Sequence, residues 1–148
     1  MRNELYELRV MPDIMTFEFT SVGPKGEILK LVIYSKTGVQ GLYNLGFGDK
    51  NITTGGVDDL IITDNKDSLK VLATVASTIY AFMDKYPNTA VTASGSTKSR
   101  TRLYQMGISN NLEEISLDFN IFGRIKSFWY PFEKNIEYEA FLVTRKKI

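Results

Sequence analysis

Polar and apolar residues alternate along much of the first half of the chain, which predicts β-strands. Residues 15–20 show the period of two that is typical of a half-buried strand. The segments 28–34 and 43–47 have a similar strand character. Turns at 23–26 and 36–41 separate the three segments, since glycine and proline supply the backbone angles that turns need. The segments therefore predict a meander of antiparallel strands.

The clearest helical pattern in the sequence follows. A further strand is expected over 57–63, and the polar run 64–68 then offers side-chain oxygens that suit a helix N-cap. Apolar residues recur at helical spacing as far as Tyr86, and Pro87 stops the pattern. We predict a helix over 68–86 that supports the sheet. Its apolar positions are Leu72, Val75, Ala76, Ile79, Phe82, Met83 and Tyr86.

The rest of the chain predicts a second helix and further strands. A strand near 89–93 leads into a helix over 97–107. We place the end of this helix at Gly107, because glycine suits the left-handed position after a helix. One more helical turn is expected at 109–114. Alternating apolar residues then predict strands at 115–121, 128–132 and 137–145.

Length and composition agree with a single globular unit. The chain has 148 residues, of which 43% are hydrophobic and 24% charged, as is usual for one domain. We therefore predict one domain over residues 1–148. Its fold class is α+β, with a mostly antiparallel, curved sheet of about seven to eight strands packed against two principal helices at about 68–86 and 97–107.

The residue types that the sequence lacks narrow its chemistry. It has no Cys and no His, which removes thiolate nucleophiles and the commonest neutral-pH base. These absences disfavour an enzyme, and no cofactor is expected. A net charge of +1 disfavours nucleic acid as a partner without excluding it. No apolar run reaches the roughly 20 residues of a membrane span, and no leader pattern follows Met1, so we expect a cytoplasmic protein with no membrane contact.

Aspartates are concentrated in the middle of the chain, which raises the question of a cation site. Hard cations need several oxygens that converge at fixed geometry. Asp58 and Asp59 would point to opposite faces of a strand, and no EF-hand spacing is present. We therefore expect no metal and interpret these residues as helix caps, salt bridges or a solvated face. The aspartates concerned are Asp49, Asp58, Asp59, Asp64 and Asp67.

One short segment combines turn residues with positive charge. Residues 94–97 are a Ser-Gly-Ser-Thr turn that leads into the second predicted helix. A helix start leaves amides without acceptors and carries partial positive charge, so it attracts a phosphate or a carboxylate. The spacing is neither that of a Walker loop nor that of a dinucleotide fingerprint. The candidate ligand-binding residues are Gly95, Ser96, Thr97, Lys98 and Arg100.

The same segment has a purely structural interpretation. If Ser96 or Thr97 caps its own helix, the cap satisfies amides that a ligand would otherwise take. Helical geometry also divides the basic residues, because Lys98 and Arg102 share one stripe while Arg100 lies on another side. The buried face predicted between the stripes consists of Ser99, Leu103 and Met106.

The densest aromatic stretch lies at residues 128–132. Trp and Tyr are favoured where partners dock, and Pro131 indicates an edge strand. The segment therefore predicts an interface and a homo-oligomer. In the alternative interpretation, some of the rings lie in the core and the others under a loop. The candidate interface residues are Phe128, Trp129, Tyr130 and Phe132.

Sequence features spread over nearly the whole chain carry a resemblance. They lie at residues 17–19, 23–26, 70–76, 84–87, 95–97, 100–104 and 138–142. Together these segments resemble a family of small uncharacterised bacterial proteins of about this length. The resemblance implies a stand-alone bacterial domain and supplies no catalytic residue, cofactor or partner.

Two functions from different classes remain open at this point. The first is a non-enzymatic binding protein that presents residues 94–102 to an anion such as a phosphate-bearing metabolite, a nucleotide or a nucleic-acid backbone. The alternative is a protein-interaction or self-association module that uses the aromatic segment at 128–132. Free amides at 96–98 with a sulfate or phosphate on them favour the first function. An occupied helix cap with Arg100 and Arg102 both bonded to carboxylates favours the second.

Overall fold

The computed structural model describes residues 4–58 and 62–147, which contain eight strands and two helices. The strands in chain order are β1 (Arg9–Val10), β2 (Thr16–Gly23), β3 (Gly26–Lys36), β4 (Leu42–Asp49), β5 (Ala90–Ala93), β6 (Phe119–Ile125), β7 (Phe128–Pro131) and β8 (Ala140–Arg145). The helices are α1 (Ser68–Lys85) and α2 (Lys98–Asp118).

The strands form one eight-stranded sheet in the order β1-β2-β3-β4-β5-β8-β6-β7. Every neighbouring pair is antiparallel except β4 and β5, which are parallel because α1 carries the chain back across the sheet between them. The predicted fold class is confirmed: the protein is an α+β structure with a mostly antiparallel sheet and two helices.

The core lies between one face of the sheet and the two helices, which also contact each other. Phe17, Val32 and Phe47 are successive cross-strand neighbours and are almost completely buried. Phe82 of α1 packs into the same cluster, and its ring stacks on Tyr34 at 4.2 Å. Burial of each such side chain contributes roughly 1.5–3 kcal/mol, so this apolar layer holds the helices on the sheet.

Helix α1 matches the sequence-based prediction to within one residue, whereas its N-cap does not. The backbone N–H of Tyr86 closes the helix on the Phe82 carbonyl, just before Pro87. Asp67 occupies the N-cap position but makes no side-chain cap. Its carboxylate instead accepts hydrogen bonds from the Tyr6 hydroxyl at 2.6 Å and the Ser21 hydroxyl at 2.5 Å. The Asp67 carboxylate is therefore bound to Tyr6 and Ser21 and does not cap the helix start.

Helix α2 is much longer than the sequence predicts. The prediction of a helix over 97–107, a separate turn and a strand from residue 115 is wrong, because one helix runs without interruption to Asp118. Gly107 lies in its middle, facing Leu72 of α1. The alternating apolar residues from 115, which predicted a strand, also fit the surface of a helix. Ile115 is buried there, while Leu117 is 75% exposed. The strand begins only at Phe119.

The buried face of α2 also differs from the predicted one. Ser99 and Met106 are exposed and Leu103 is half-buried. The face that enters the core lies on another side of the helix, because α2 packs against α1, β6 and β8. The buried residues of α2 are Thr101, Gly107, Asn111 and Ile115.

Three of the strands differ from the sequence-based predictions. The strand predicted over 57–63 falls partly on residues 59–61, which lie outside the described residues; Val57 forms only an isolated bridge with Lys50, and residues 62–63 are not strand. The short strand β1 was not predicted. Strand β8 begins at Ala140, three residues later than expected over 137–145.

Substitutions at two glycines test how tightly the helices and strands pack. A Cβ atom on Gly107 would lie 3.5 Å from Leu72, which is an ordinary contact. Because glycine within a helix costs about 0.5–1 kcal/mol relative to alanine, Gly107→Ala should raise the melting temperature by about 1–4 °C. A Cβ on Gly123 would lie 2.2 Å from the Tyr138 ring, so Gly123→Ala should lower it. Thermal unfolding followed by circular dichroism measures both, and a destabilised Gly107→Ala protein would contradict the helix packing.

Candidate functional site

A crevice opens in the sheet where its two parallel strands diverge. Strand β4 pairs with β5 only from Leu42 to Asn44. Beyond this point β5 turns away through residues 94–97 into α2, while β4 continues to Asp49. The space between them has a volume of about 290 Å³. Its lining includes Asn44, Gly46, Ser94, Ser96, Arg100 and Tyr104.

Side chains of α2 replace the missing neighbour of β4. The Phe47 amide donates to the Tyr104 hydroxyl at 3.0 Å, and Nη2 of Arg100 donates to the Phe47 carbonyl at 2.9 Å. Nη1 of Arg100 donates to the Asp58 carbonyl at 3.0 Å. Backbone groups that lose their sheet partner need another one. Arg100 and Tyr104 therefore join the start of α2 to the open edge of β4.

The helix start carries an occupied cap. Thr97 is the N-cap residue, and its hydroxyl accepts from the Arg100 amide at 3.2 Å. The Gly95 amide donates to the Thr101 hydroxyl at 3.0 Å. The structural interpretation of this turn is therefore correct for Thr97, but it accounts for only part of the helix start.

Several donors around the crevice keep no acceptor. Within residues 4–58 and 62–147, nothing accepts a hydrogen bond from the amides of Ser96, Thr97, Lys98 and Ser99. Arg100 uses only two of the five N–H donors of a guanidinium in hydrogen bonds to the described residues. The cap and free amides thus occur together, because one threonine satisfies only one of the amides that a helix start exposes.

Tyr104 adds a hydroxyl donor that the sequence did not single out as part of the site. Burial raises the pKa of its phenol, although the Phe47 amide and the Arg100 charge act in the opposite direction. The phenol therefore stays protonated at neutral pH. Its oxygen accepts from the Phe47 amide, and none of the described residues accepts its own proton.

Two glycines next to Arg100 lie in close contact with the start of α2 and its side chains. A Cβ on Gly95 would lie 2.4 Å from Cβ of Arg100 and 2.5 Å from the Thr101 amide nitrogen. A Cβ on Gly48 would lie 2.8 Å from Nη2 of Arg100. Only glycine fits at position 95, because a side chain there would collide with the backbone of the first turn of α2. At position 48 a side chain would displace the Arg100 guanidinium and the Val57 side chain.

The basic residues of this segment have separate positions. Arg100 is half-buried and bonded to main-chain carbonyls. Lys98 and Arg102 are exposed, and neither forms an ion pair within the described part of the chain. No carboxylate side chain is among the lining residues of the crevice within that part. Arg100 is therefore the charged side chain among the lining residues of the crevice in the described part.

A second polar cluster lies on the other side of Phe47. Lys30 is only 1% exposed although it is charged, and its ammonium donates to the Asp49 carboxylate and, at 2.9 Å, to the Thr63 carbonyl. The Thr63 amide returns a bond to Asp49 at 3.1 Å. These bonds fasten the chain near residue 63 to the sheet, and a cavity of about 250 Å³ lies beside them. No sequence pattern indicates this pair, since Lys30 occupies an inward position of an apolar strand.

The aromatic segment divides into exposed and packed rings. Phe128, Trp129 and Tyr130 are 68%, 40% and 47% exposed. The Arg124 guanidinium lies 5.8 Å from the centre of the Trp129 ring. Phe132 behaves differently, because its ring packs at 5.3 Å from that of Tyr138. Phe132 thus belongs to the packed interior at this edge, while the other three rings face solvent.

Two further properties concern metals and membranes. In the described ranges, no group of three or more carboxylates is arranged to hold a metal ion. None of the described helices is long and apolar enough to cross a bilayer.

The fold and the crevice define a class of protein: an α+β domain whose donor-lined cleft lies where two parallel strands separate. Residues 2–146 match the sequence profile of the "Family of unknown function (DUF6934)". The chain belongs to this family, which confirms the resemblance to a family without an assigned function. Comparisons with curated proteins and with solved structures gave no match.

Arg100 and Arg102 provide a matched pair for testing how the crevice is held together. Arg100→Ala leaves the Phe47 and Asp58 carbonyls without their donor, which should cost about 1–3 kcal/mol of unfolding free energy. Arg102→Ala removes the same charge from an exposed position, so we expect a change within about 0.5 kcal/mol. Urea unfolding of the two variants measures the difference. Equal stabilities would show that Arg100 does not hold α2 to β4.

Proposed function

We propose that the protein binds a small phosphate- or carboxylate-bearing ligand in the crevice between β4 and β5. The observation that carries this proposal is the group of hydrogen-bond donors there without a protein acceptor. Ser96, Arg100 and Tyr104 line the crevice and carry such donors, and the free amides of residues 97–99 follow at the adjoining start of α2. An anion is the ligand class that accepts hydrogen bonds from donors of this kind.

The position of the crevice supports the same ligand class. In sheets with parallel strands, ligands commonly bind outside the carboxyl ends of the strands, where neighbouring connections separate. The crevice lies at the carboxyl end of the parallel part of β4 and β5. The start of α2 adds the partial positive charge of a helix dipole, and Lys98 adds a full charge at its first residue.

The groups at the crevice divide into two roles under this proposal. Thr97, Gly95 and the bonded part of Arg100 hold the helix start in place. Ser96, Lys98, Tyr104 and the free amides contact the ligand. We therefore propose binding rather than catalysis, since these groups donate hydrogen bonds or supply positive charge.

Thermal shift with inorganic phosphate and pyrophosphate tests the proposal. A ligand that binds only the folded protein raises its melting temperature by mass action. Lys98→Ala should weaken this shift, because it removes a charge beside the free amides. Lys134→Ala removes the same charge from an exposed position in the chain after β7 and should respond like the wild type. The comparison is made at equal phosphate concentration, because phosphate also stabilises proteins by exclusion from their surface.

A second pair of variants separates charge from position. Ser96→Asp places a carboxylate at the crevice, where it competes with the ligand for the same donors. Gln40→Glu adds the same charge at an exposed loop position. Loss of the ligand-induced shift in Ser96→Asp alone supports the site. Equal shifts in all four variants and the wild type, or no saturable shift in any of them, would refute it.

The exposed rings of β7 favour a second candidate function, self-association. Phe128 and Tyr130 lie on one face of β7 and Trp129 on the other, so the exposed rings of Phe128 and Tyr130 share an apolar surface at the edge of the sheet. Pro131 has no N–H for pairing with a further strand, so we propose that a second copy of the chain docks on the rings rather than extending the sheet.

Sedimentation velocity over a concentration series tests this second candidate. The wild type should form a dimer as concentration rises, and Phe128→Ser combined with Tyr130→Ser should shift the equilibrium to monomer by removing apolar contact area. Leu117→Ser changes a residue that is 75% exposed on α2 and serves as the control. A wild-type protein that stays monomeric at every concentration would exclude the dimer.

A further inference from the structure

The cavity beside the buried pair of Lys30 and Asp49 is a second space, separate from the crevice. It has a volume of about 250 Å³ and is bounded by β3, β4, the segment 62–65 and both helices. Of the described lining residues, only Phe47 belongs to both spaces. The cavity reaches the protein surface beside Met106, which is 43% exposed. A small molecule can therefore enter it from solvent.

Lys30 places a buried hydrogen-bond donor at one wall of the cavity. Its side chain is almost completely buried and belongs to the lining. An ammonium carries three N–H donors, and two of them have acceptors, the Asp49 carboxylate and the Thr63 carbonyl. Among the described residues nothing accepts the third. Because a buried donor without an acceptor is costly, a ligand oxygen at this wall gains a hydrogen bond.

Much of the remaining wall is apolar and includes side chains that the fold leaves partly uncovered. Leu103 and Met106 belong to the face of α2 that the sequence predicts as buried, yet Leu103 is half-buried and Met106 is exposed. Both line the cavity, so an apolar ligand there removes their surface from water. The apolar lining residues are Phe47, Ile62, Val71, Leu72, Leu103 and Met106.

The charges around the cavity disfavour an anionic ligand. The charge of Lys30 is compensated by Asp49, and two further carboxylates, those of Asp64 and Asp67, belong to the lining. An anion would therefore meet charges of its own sign, whereas an uncharged acceptor would not.

We propose that this cavity binds an uncharged carbonyl compound with an apolar body. The carbonyl oxygen accepts from the Lys30 ammonium, and the apolar body packs on Leu72, Leu103 and Met106. A cavity of roughly 150 Å³ holds a benzene molecule, so by proportion 250 Å³ holds about ten non-hydrogen atoms. The site does not depend on the proposed function, since an anion in the crevice contacts other residues.

Titration followed by two-dimensional 1H–13C methyl NMR tests the inference with three probes of similar shape and suitable size. Acetophenone has a carbonyl oxygen, α-methylstyrene has a methylene group in its place, and benzoate carries a negative charge. Acetophenone should give saturable shifts at the methyl groups of Leu72, Leu103 and Met106. Benzoate should bind more weakly than acetophenone, because it brings a negative charge towards Asp64 and Asp67.

A double variant removes the donor without leaving a buried charge unpaired. Lys30→Met combined with Asp49→Asn replaces the ion pair by uncharged side chains, and a 1H–15N spectrum checks that the protein folds. The ratio of acetophenone affinity to α-methylstyrene affinity should fall about tenfold from the wild type to this variant. The comparison of ratios cancels the different costs of transferring the two probes from water.

A second variant tests the cavity without touching the ion pair. Leu103→Trp fills the space from α2 and should abolish the binding of acetophenone and of α-methylstyrene. Leu117→Trp makes the same change at a position of α2 that is highly exposed and does not line the cavity. This control should bind both probes as the wild type does.

Each outcome bears on one part of the inference. Absence of saturable acetophenone shifts, which is the result if the cavity holds only water, or unchanged binding by Leu103→Trp refutes the cavity as a binding site. An unchanged affinity ratio in the folded double variant refutes Lys30 as the donor. Benzoate that binds more tightly than acetophenone refutes an uncharged ligand. If the double variant does not fold, the Leu103→Trp and benzoate comparisons decide.

Discussion

The two main-chain hydrogen bonds of Phe47 are the constraint on which the site depends. Strand β4 continues beyond its pairing with β5, so its backbone at Phe47 faces a gap instead of a neighbouring strand. Such groups are costly to bury without partners. Tyr104 and Arg100 supply the missing acceptor and donor. Because both side chains come from the first two turns of α2, the helix start is held at a fixed distance from the sheet edge.

This fixed distance explains the residues around the crevice. Gly48 and Gly95 lie where a Cβ would collide with Arg100, so the close approach of helix and strand requires glycine. Thr97 closes the helix start with one side-chain bond, which leaves the neighbouring amides without acceptors. Arg100 similarly uses two of its N–H donors for structural hydrogen bonds to the Asp58 and Phe47 carbonyls. The donors that remain are the ones that an anion can use, so structural and binding roles are combined in the same few residues.

Much of the fold could be predicted because its signals are local. Alternation identified β2 and β4, an apolar run between two turns identified β3, and helical spacing located α1 with its end before Pro87. The length of α2 could not be predicted from the same rules. Gly107 has the chemistry of a helix end, but its contact with Leu72 of α1 lets the helix continue. The apolar positions around Ile115 suit both a helix and a strand, so its neighbours in sequence do not distinguish the two.

Of the candidate site, only the turn and the start of α2 could be predicted from the sequence. Thr97 as a cap and the exposed amides after it follow from the turn sequence. The bonds from Tyr104 and Arg100 to Phe47 join residues 57 and 53 positions apart, so no spacing rule indicates them. The buried Lys30 is similar, because its partner Asp49 lies on the neighbouring strand. Without knowledge of that pairing, a lysine at an inward position of a strand is an isolated exception to the pattern.

Amide chemical shifts measured by two-dimensional 1H–15N NMR during titration with inorganic phosphate test most directly whether the crevice binds an anion. The free amides at the start of α2 should respond first, because a bound phosphate accepts their hydrogen bonds. We predict saturable shifts that are largest at Ser96, Thr97, Lys98 and Ser99. Shifts that do not saturate, or that are largest at exposed residues elsewhere such as Lys134, would contradict an anion site in the crevice.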